Sequence, residues 1–373
     1  MKNEFIEFYG KHGISPVHQD ISDLDKHLKR RSNLYKMLGI DERLFKDADV
    51  LEVGPGGGFN SICFAKWGAK LDLLEPNPHA HKEIEQNLQG YKYNLYKGII
   101  EEYKTDKKYD FIIAEGFFHS MQNPDEIFAA CMKILKNDGI LVLTCIDEIS
   151  HFYEDLRRII SFKLIKNLQD FKKQVDKLCI AFAKHLNTLR FSSRPINDWV
   201  SDVILNSSQD LAYVNIKKTL QIAVAYERER ERVELLGVNP CLVGNLSWYK
   251  DTSYSYAKAF MQGYDAKKHL LLDCTWSDFY RDERLNNALN ADLIVFRELI
   301  KAYKYGERSI DEIINILKQI RDKNADLPNS FALCIDEVLN LLARDFSADH
   351  VANSKQFSKS WGRGMQYIAF TAK

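Results

Sequence analysis

The 373-residue chain reads as a doubly wound, mostly parallel α/β sheet with an N-terminal helical cap and a large helical insertion. Three observations predict this. Strand-like and helix-like segments alternate between residues 48 and 146, a pattern that calls for right-handed crossovers and a parallel sheet. Turn residues are unevenly spread. Residues 1–150 hold 12 Gly and 5 Pro but residues 151–343 only 4 Gly and 3 Pro, so a turn-rich α/β region gives way to long helices. A strand-like segment, Met365–Ala372, stands 220 residues after the preceding strand. A lone strand is not stable by itself, so this one is expected to rejoin the first sheet.

The elements follow in order. Asp23–Leu38 is a charge-rich helical stretch. Asp49–Val53 (DVLEV) is a short buried strand that runs into a glycine cluster, and Asn60–Trp67 is helical. Lys70–Leu74 (KLDLL) is the second strand. His79–Gln89 is a helix with Pro78 in its first turn, where the missing N–H has no partner to lose. Tyr93–Ile100 and Tyr109–Ala114 are the third and fourth strands. Pro124–Leu135 is a helix with Asn123 as its cap. Asn137–Gly139 turns into the fifth strand, Ile140–Cys145. Downstream, Ile310–Ile320 has apolar residues at 310, 313, 314, 317 and 320, one face of a helix, and Ala332–Leu342 is similar. This divides the chain into a cap (1–45), a sheet domain (46–154 with 344–373) and a helical insertion (155–343) read as a substrate-binding cap.

Composition narrows the function. The chain has 52 Lys+Arg and 52 Asp+Glu, and residues 151–343 hold 28 against 26. Balance of this kind argues against bulk electrostatic binding of nucleic acid. No apolar run approaches the roughly 20 residues of a membrane span. The opening MKNEFIEFYGKHG lacks the apolar core of a signal peptide. Seven scattered cysteines form no CxxC pair, so neither a disulfide framework nor a metal site is expected. The reading is a cytoplasmic protein with buried thiols.

The strongest motif is Leu51–Phe59, LEVGPGGGF. Gly54, Gly56 and Gly58 alternate with Pro55 and Gly57, and Asn60 opens the next helix. Glycines there let a ligand approach the backbone and turn the chain into the helix. A dinucleotide-type GxGxxG would need glycine at 59, where Phe59 stands. Glu52 lies in the apolar strand just before the loop and needs a partner there. Glu75 and Pro76 end the second strand, with Glu75 21 positions after Gly54. Glu115, Gly116 and Phe117 follow the fourth strand, at the edge where open α/β sheets bind ligands, and His119 lies on the same edge. The N-terminal segment carries Tyr9, His18 and Arg30-Arg31. Trp248, Tyr249, Tyr254 and Tyr256, and Ser193-Arg194-Pro195 with Trp199, are candidate pocket residues in the insertion.

VLEVGPGGG, LDLLEPNP, YDFIIAEGFFHSM and NPDEIF…CMKILKNDGILVLT, in this order, resemble the class I S-adenosylmethionine-dependent methyltransferases. The resemblance covers residues 46–146 and the final strand. It implies a Rossmann-like sheet with an antiparallel closing strand, S-adenosylmethionine as cofactor and methyl transfer as activity. By this likeness Gly54, Pro55, Gly56, Gly58 and Asn60 cradle the cofactor's methionyl and ribose parts. Glu75, with Pro76, takes the ribose hydroxyls, since two vicinal donors match one carboxylate. Glu52 sits near the cofactor's ammonium end, and Ile100, Glu115, Gly116 and Phe117 complete the pocket. The family's acid after the third strand, commonly in a GD pair, is missing. Gly98-Ile99 stands there, with Glu101 and Glu102 slightly later. Ile99 or Ile100 is left to offer backbone and apolar contact. The N-terminal segment is expected to fold over the cofactor.

A hydroxyl or ammonium acceptor also needs a base. His119 is the first candidate, then His18 and Tyr9. The expected acceptor is a small or medium molecule with an O- or N-nucleophile: sugar, lipid-linked or natural-product-like. A protein acceptor docked on the insertion, or a binding module without turnover, are the alternatives. A homodimer is compatible with the neutral charge.

Overall fold

The computed structural model describes residues 4–189, 192–229, 233–244 and 247–373. Its centre is a seven-stranded sheet: β1 (Asp49–Val53), β2 (Lys70–Leu74), β3 (Tyr93–Tyr96), β4 (Tyr109–Ala114), β5 (Leu135–Cys145), β6 (Val233–Asn239) and β7 (Gln366–Ala372). The order across the sheet is β3-β2-β1-β4-β5-β7-β6. β1 to β5 pair in parallel, and β7 runs antiparallel to both neighbours, with Val142 opposite Ala369 and Val238 opposite Ile368. Met365–Ala372 thus joins the first sheet as its antiparallel strand.

Local chemistry explains the elements. Val50 to Val53 are all buried, as in a parallel strand covered on both faces. The helix Leu24–Met37 starts at Asp23, whose carboxylate accepts the Lys26 N–H, and buries His27, Arg31 and Tyr35 along one side. Tyr35 joins Phe45, Phe64 and Phe111 in the aromatic core, where Phe45 stacks on Phe111 at 4.3 Å.

Four elements differ from the sequence reading. β3 stops at Tyr96, because the chain turns where the Glu102 N–H donates to the Ile99 carbonyl. β5 begins at Leu135, since a register shift against β4 absorbs the Asn137–Gly139 turn and Asp138 takes a positive φ of 59°. Asn123 does not cap the helix Pro124–Lys133; its amide donates to Glu101 and Glu126 instead. β6 lies inside the stretch read as helical. It follows a run of alternating Glu and Arg that masks its strand character, and its partner β7 is more than 120 residues away.

The chain forms two compact units. The sheet unit comprises residues 1–146, 211–264 and 365–373, and the helical unit residues 147–210 and 265–364. The expected single insertion, 155–343, is therefore interrupted: residues 211–264 belong with the sheet because β6 completes it. The helical unit is built on Phe152–Ile165, Phe171–Thr188, Glu283–Lys304, Ile310–Lys323 and Asn329–Leu342. Ile310–Lys323 opens with a Ser309/Glu312 capping box and buries Ile313, Ile316, Leu317 and Ile320. Among the described residues, no helix is long and apolar enough to cross a membrane.

Candidate functional site

The C-terminal ends of β1, β2 and β4 open onto a cavity, the place where open α/β sheets bind ligands. The glycine loop forms its floor. The Gly54 N–H donates to the Leu74 carbonyl at 2.9 Å, which straps the loop to β2. Gly56 has φ +56°, and the Val17 side chain occupies the space an added Cβ would need. Its N–H donates to Glu75 Oε2 at 2.8 Å. Gly58 donates to the Pro55 carbonyl at 3.1 Å and closes the turn into the helix Ser61–Lys66.

Glu75 is 5% exposed, and its second oxygen accepts the Asn77 N–H at 2.7 Å. Asn77 in turn donates to the Ile14 carbonyl, which fastens the N-terminal segment beside the site. Burial pushes the Glu75 carboxyl up to about 7 against the pull of its two backbone donors. Glu52 is equally buried and accepts the Ser61 hydroxyl at 2.5 Å; burial pushes it up to about 8.

At the end of β4, Glu115 accepts from Arg31 Nη2, 2.8 Å to each oxygen, and from the Tyr35 hydroxyl at 2.7 Å. Burial opposes the Arg31 charge, but the Glu115 carboxylate overrides it and raises the guanidinium above its ordinary value. The Gly116 N–H is held by the Thr144 hydroxyl at 2.8 Å. Phe117 packs its ring against Gly54.

Tyr9, Gly54, Gly56, Glu75, Pro76, Ile100, Glu115, Gly116 and Phe117 all line the cavity. Pro55, Gly58 and Asn60 belong to the turn but not to the lining, and Glu52 is turned to Ser61. Two base candidates sit elsewhere. His18 bonds Glu83 at 2.9 Å and meets Phe59 edge-on. His119 is carried into the interior by the short 3-10 turn Phe118–Ser120, its ring edge-on to Phe5 and Tyr213.

The cavity lining comes from residues 5–121, so the wall expected from insertion aromatics is supplied by Phe5, Ile6, Tyr9, Ser15 and Val17. Trp199 packs between Phe182 and Trp361 within the helical unit, while Trp248 and Tyr249 are exposed. Sequence reasoning missed Glu115's partners. Arg31 and Tyr35 are four apart, one helical face, and that spacing was the available signal. Among the described residues, no group of three or more His, Cys, Asp or Glu is placed to hold a metal ion.

A strand order of 3-2-1-4-5-7-6 with a reversed seventh strand, a glycine loop after β1 and an acid ending β2 define a class I methyltransferase-type domain. Residues 22–186 match the family described as a methyltransferase domain, and the chain carries a class I S-adenosylmethionine-dependent methyltransferase domain. It is 29% identical over 137 residues to a ubiquinone biosynthesis O-methyltransferase of Rickettsia bellii (strain OSU 85-389), covering 34% of this chain and 55% of that one. It is 31% identical over 108 residues to the enzyme of that name from Actinobacillus pleuropneumoniae serotype 5b (strain L20), 26% of this chain and 45% of the other. The chain thus spans about half the length of the curated relatives it matches. Among solved structures, the N-methyltransferase NodS from Bradyrhizobium japonicum WM9 aligns with TM-score 0.31 and 17% identity, over 38% of this chain and 74% of that one.

Proposed function

We propose that this protein transfers a methyl group from S-adenosylmethionine to a small or medium-sized acceptor with an oxygen or nitrogen nucleophile. The observation that carries this reading is the Glu75 carboxylate at the cavity wall. It is held by the Gly56 and Asn77 N–H groups, and each oxygen keeps a lone pair for a vicinal hydroxyl.

The donor set fits the cofactor. Gly54 and Gly56 present bare backbone at the cavity wall, Glu75 suits the ribose, and Leu74, Ile100 and Phe117 offer apolar surface to a flat heterocycle. When bound, the cofactor supplies an electrophilic methyl on a sulfonium that leaves as a neutral thioether. The chain's own work is to hold, align and exclude water. Glu115, fixed by Arg31 and Tyr35, sets the end of β4 against the cavity. Of the three base candidates Tyr9 lines the cavity, and we assign the acceptor's proton to it first. His18 and His119 act, in this reading, through the walls they support. A homodimer is the expected assembly.

Calorimetric titration with S-adenosylmethionine tests the reading. Glu75→Ala should bind about 1.5–3 kcal/mol more weakly, the range for hydrogen bonds to a charged group, while the variant stays folded. Unchanged affinity in the folded variant removes Glu75 from the site. Failure of the unaltered protein to bind removes the proposal.

A further inference from the structure

A second cavity lies beside the first and shares Phe5, Ile99, Glu101 and Met121 with it. Its remaining wall brings Glu4, Glu102 and Glu126 to the same space and contains no Lys or Arg. These acids come from separate places in the chain: the helix Glu4–His12, the turn after β3 and the first turn of Pro124–Lys133. The Asn123 amide donates to Glu101 at 3.1 Å and to Glu126 at 3.0 Å and holds those two carboxylates side by side. The helix dipole accounts for Glu4 and Glu126, each in a first turn; it does not account for Glu101 or Glu102. A second observation is independent of charge. Ser120 also lines this cavity, is 1% exposed, and its hydroxyl has no hydrogen-bond partner among the described residues. A buried hydroxyl is ordinarily satisfied. One without a partner, on a residue that lines a cavity, marks a place where a ligand's polar group completes the bonding.

We propose that this acidic cavity is the subsite for a cationic nitrogen on the acceptor: an aliphatic ammonium group that sits among Glu101, Glu102 and Glu126 and donates to the Ser120 hydroxyl. The acceptor is then an amine-bearing small molecule. Its body reaches past Phe5 and Met121 into the first cavity. The inference rests on the methyltransferase reading above, because it takes the first cavity to be the cofactor's.

The test uses the full chain saturated with S-adenosylhomocysteine and a matched pair of probes, 1,5-diaminopentane and 1,5-pentanediol, followed by ligand-observed NMR and calorimetry. The diamine should bind at least about tenfold more tightly than the diol, and the difference should shrink with added salt. Glu126→Gln, which keeps the side-chain volume, should weaken the diamine about three- to fivefold, as expected for a partly exposed charge. Ser120→Ala should weaken it about tenfold without lowering thermal stability, since no protein partner is lost. Both variants should bind S-adenosylhomocysteine as the unaltered protein does, which also shows that they are folded. Equal binding of diamine and diol, or diamine affinity unmoved in both variants, overturns the subsite while leaving the cofactor assignment standing. Failure of the unaltered protein to bind S-adenosylhomocysteine overturns the methyltransferase reading and the acceptor role with it.

Discussion

Two pairs of acids, Glu52 and Glu75 in the sheet unit and Asp155 and Asp210 in the helical unit, are held in opposite ways. In the sheet unit, Glu52 and Glu75 are each 5% exposed and have no ion-pair partner among the described residues. A hydroxyl and two backbone N–H groups hold them, burial dominates, and their carboxyls are pushed up to about 8 and about 7. In the helical unit, Asp155 is just as buried. Arg297 donates to both its oxygens at 2.9 Å, with Arg158 at 3.4 Å beyond. Burial would raise Asp155, but Arg297 overrides it and holds the carboxyl well below the usual range. Asp210 repeats the pattern with Arg158 and Lys304, and it too is lowered. Equal burial with a different partner gives opposite signs. The clamped acids have their charge answered inside the fold. Glu75, which lines the cavity, does not, and acids left in that state cluster where a ligand completes them.

The largest effect expected from this contrast lies in the helical unit. Arg297→Met leaves Asp155 buried with its main counter-charge gone, which costs about 3–5 kcal/mol. Urea unfolding should show it. The double variant Arg297→Met with Asp155→Leu should recover most of the loss, because a buried pair replaced by apolar groups is often near neutral. A single-variant loss under about 1 kcal/mol would mean that the pair is not what holds Asp155, and the contrast would fail.

Glu115 is the intermediate case: paired to a guanidinium like Asp155, yet on the cavity wall like Glu75. Tyr35→Phe removes the 2.7 Å hydroxyl bond and keeps the ring against Phe45 and Phe64. Thermal and denaturant unfolding should register about 1.5–3 kcal/mol, the value of a hydrogen bond to a charged group. If stability holds but cofactor affinity falls, Glu115 belongs with Glu75 as a ligand-facing acid rather than with the clamped set.

Much of the sheet unit was legible because local signals and the global fold agree there. Each of β1, β2 and β4 is a short apolar run ended by a turn residue, and their bounds match the sequence reading to the residue. Gly56 was legible from the glycine run that follows β1, and Glu75 because it follows a clear strand; the positive φ of Gly56 beside Val17 is what the structure adds. What was hidden depends on distance. β6 lacks a clean alternation of buried and open positions, follows a charged run and is defined by a partner far along the chain. Arg31 looked like one more charge on a charged helix until Glu115, 84 residues on, gave it a reason to be buried. His119 was read from its place on the sheet edge, but a three-residue turn decides where its side chain goes.

The smallest effect, and the sharpest test of the contrast, is in pH. Glu75 titrates near 7 in the folded protein against an ordinary 4.5. The folded chain therefore binds more protons at this site than the unfolded chain between those values. Its contribution to stability is complete at low pH and is lost as pH rises through 7. Asp155 runs the other way: its contribution is present above the ordinary carboxylate range and is lost as pH falls. Cofactor affinity should have a third dependence. Ribose hydroxyls donate to the ionised carboxylate, so below pH 7 binding must expel the Glu75 proton. Affinity should climb by up to about tenfold per pH unit towards 7 and flatten above it. Calorimetry in buffers of different ionisation enthalpy would report the released proton directly. Subtracting the profile of Glu75→Gln removes the titration of the ligand and of Glu52, and the difference should carry the slope. A difference profile that is flat from about pH 5.5 to 7 would mean that the ligand does not discriminate between the two forms of Glu75. The acid would then be buried for the loop's sake, as a partner for Gly56 and Asn77, and the distinction drawn between Glu75 and Asp155 would reduce to which donors happened to be near.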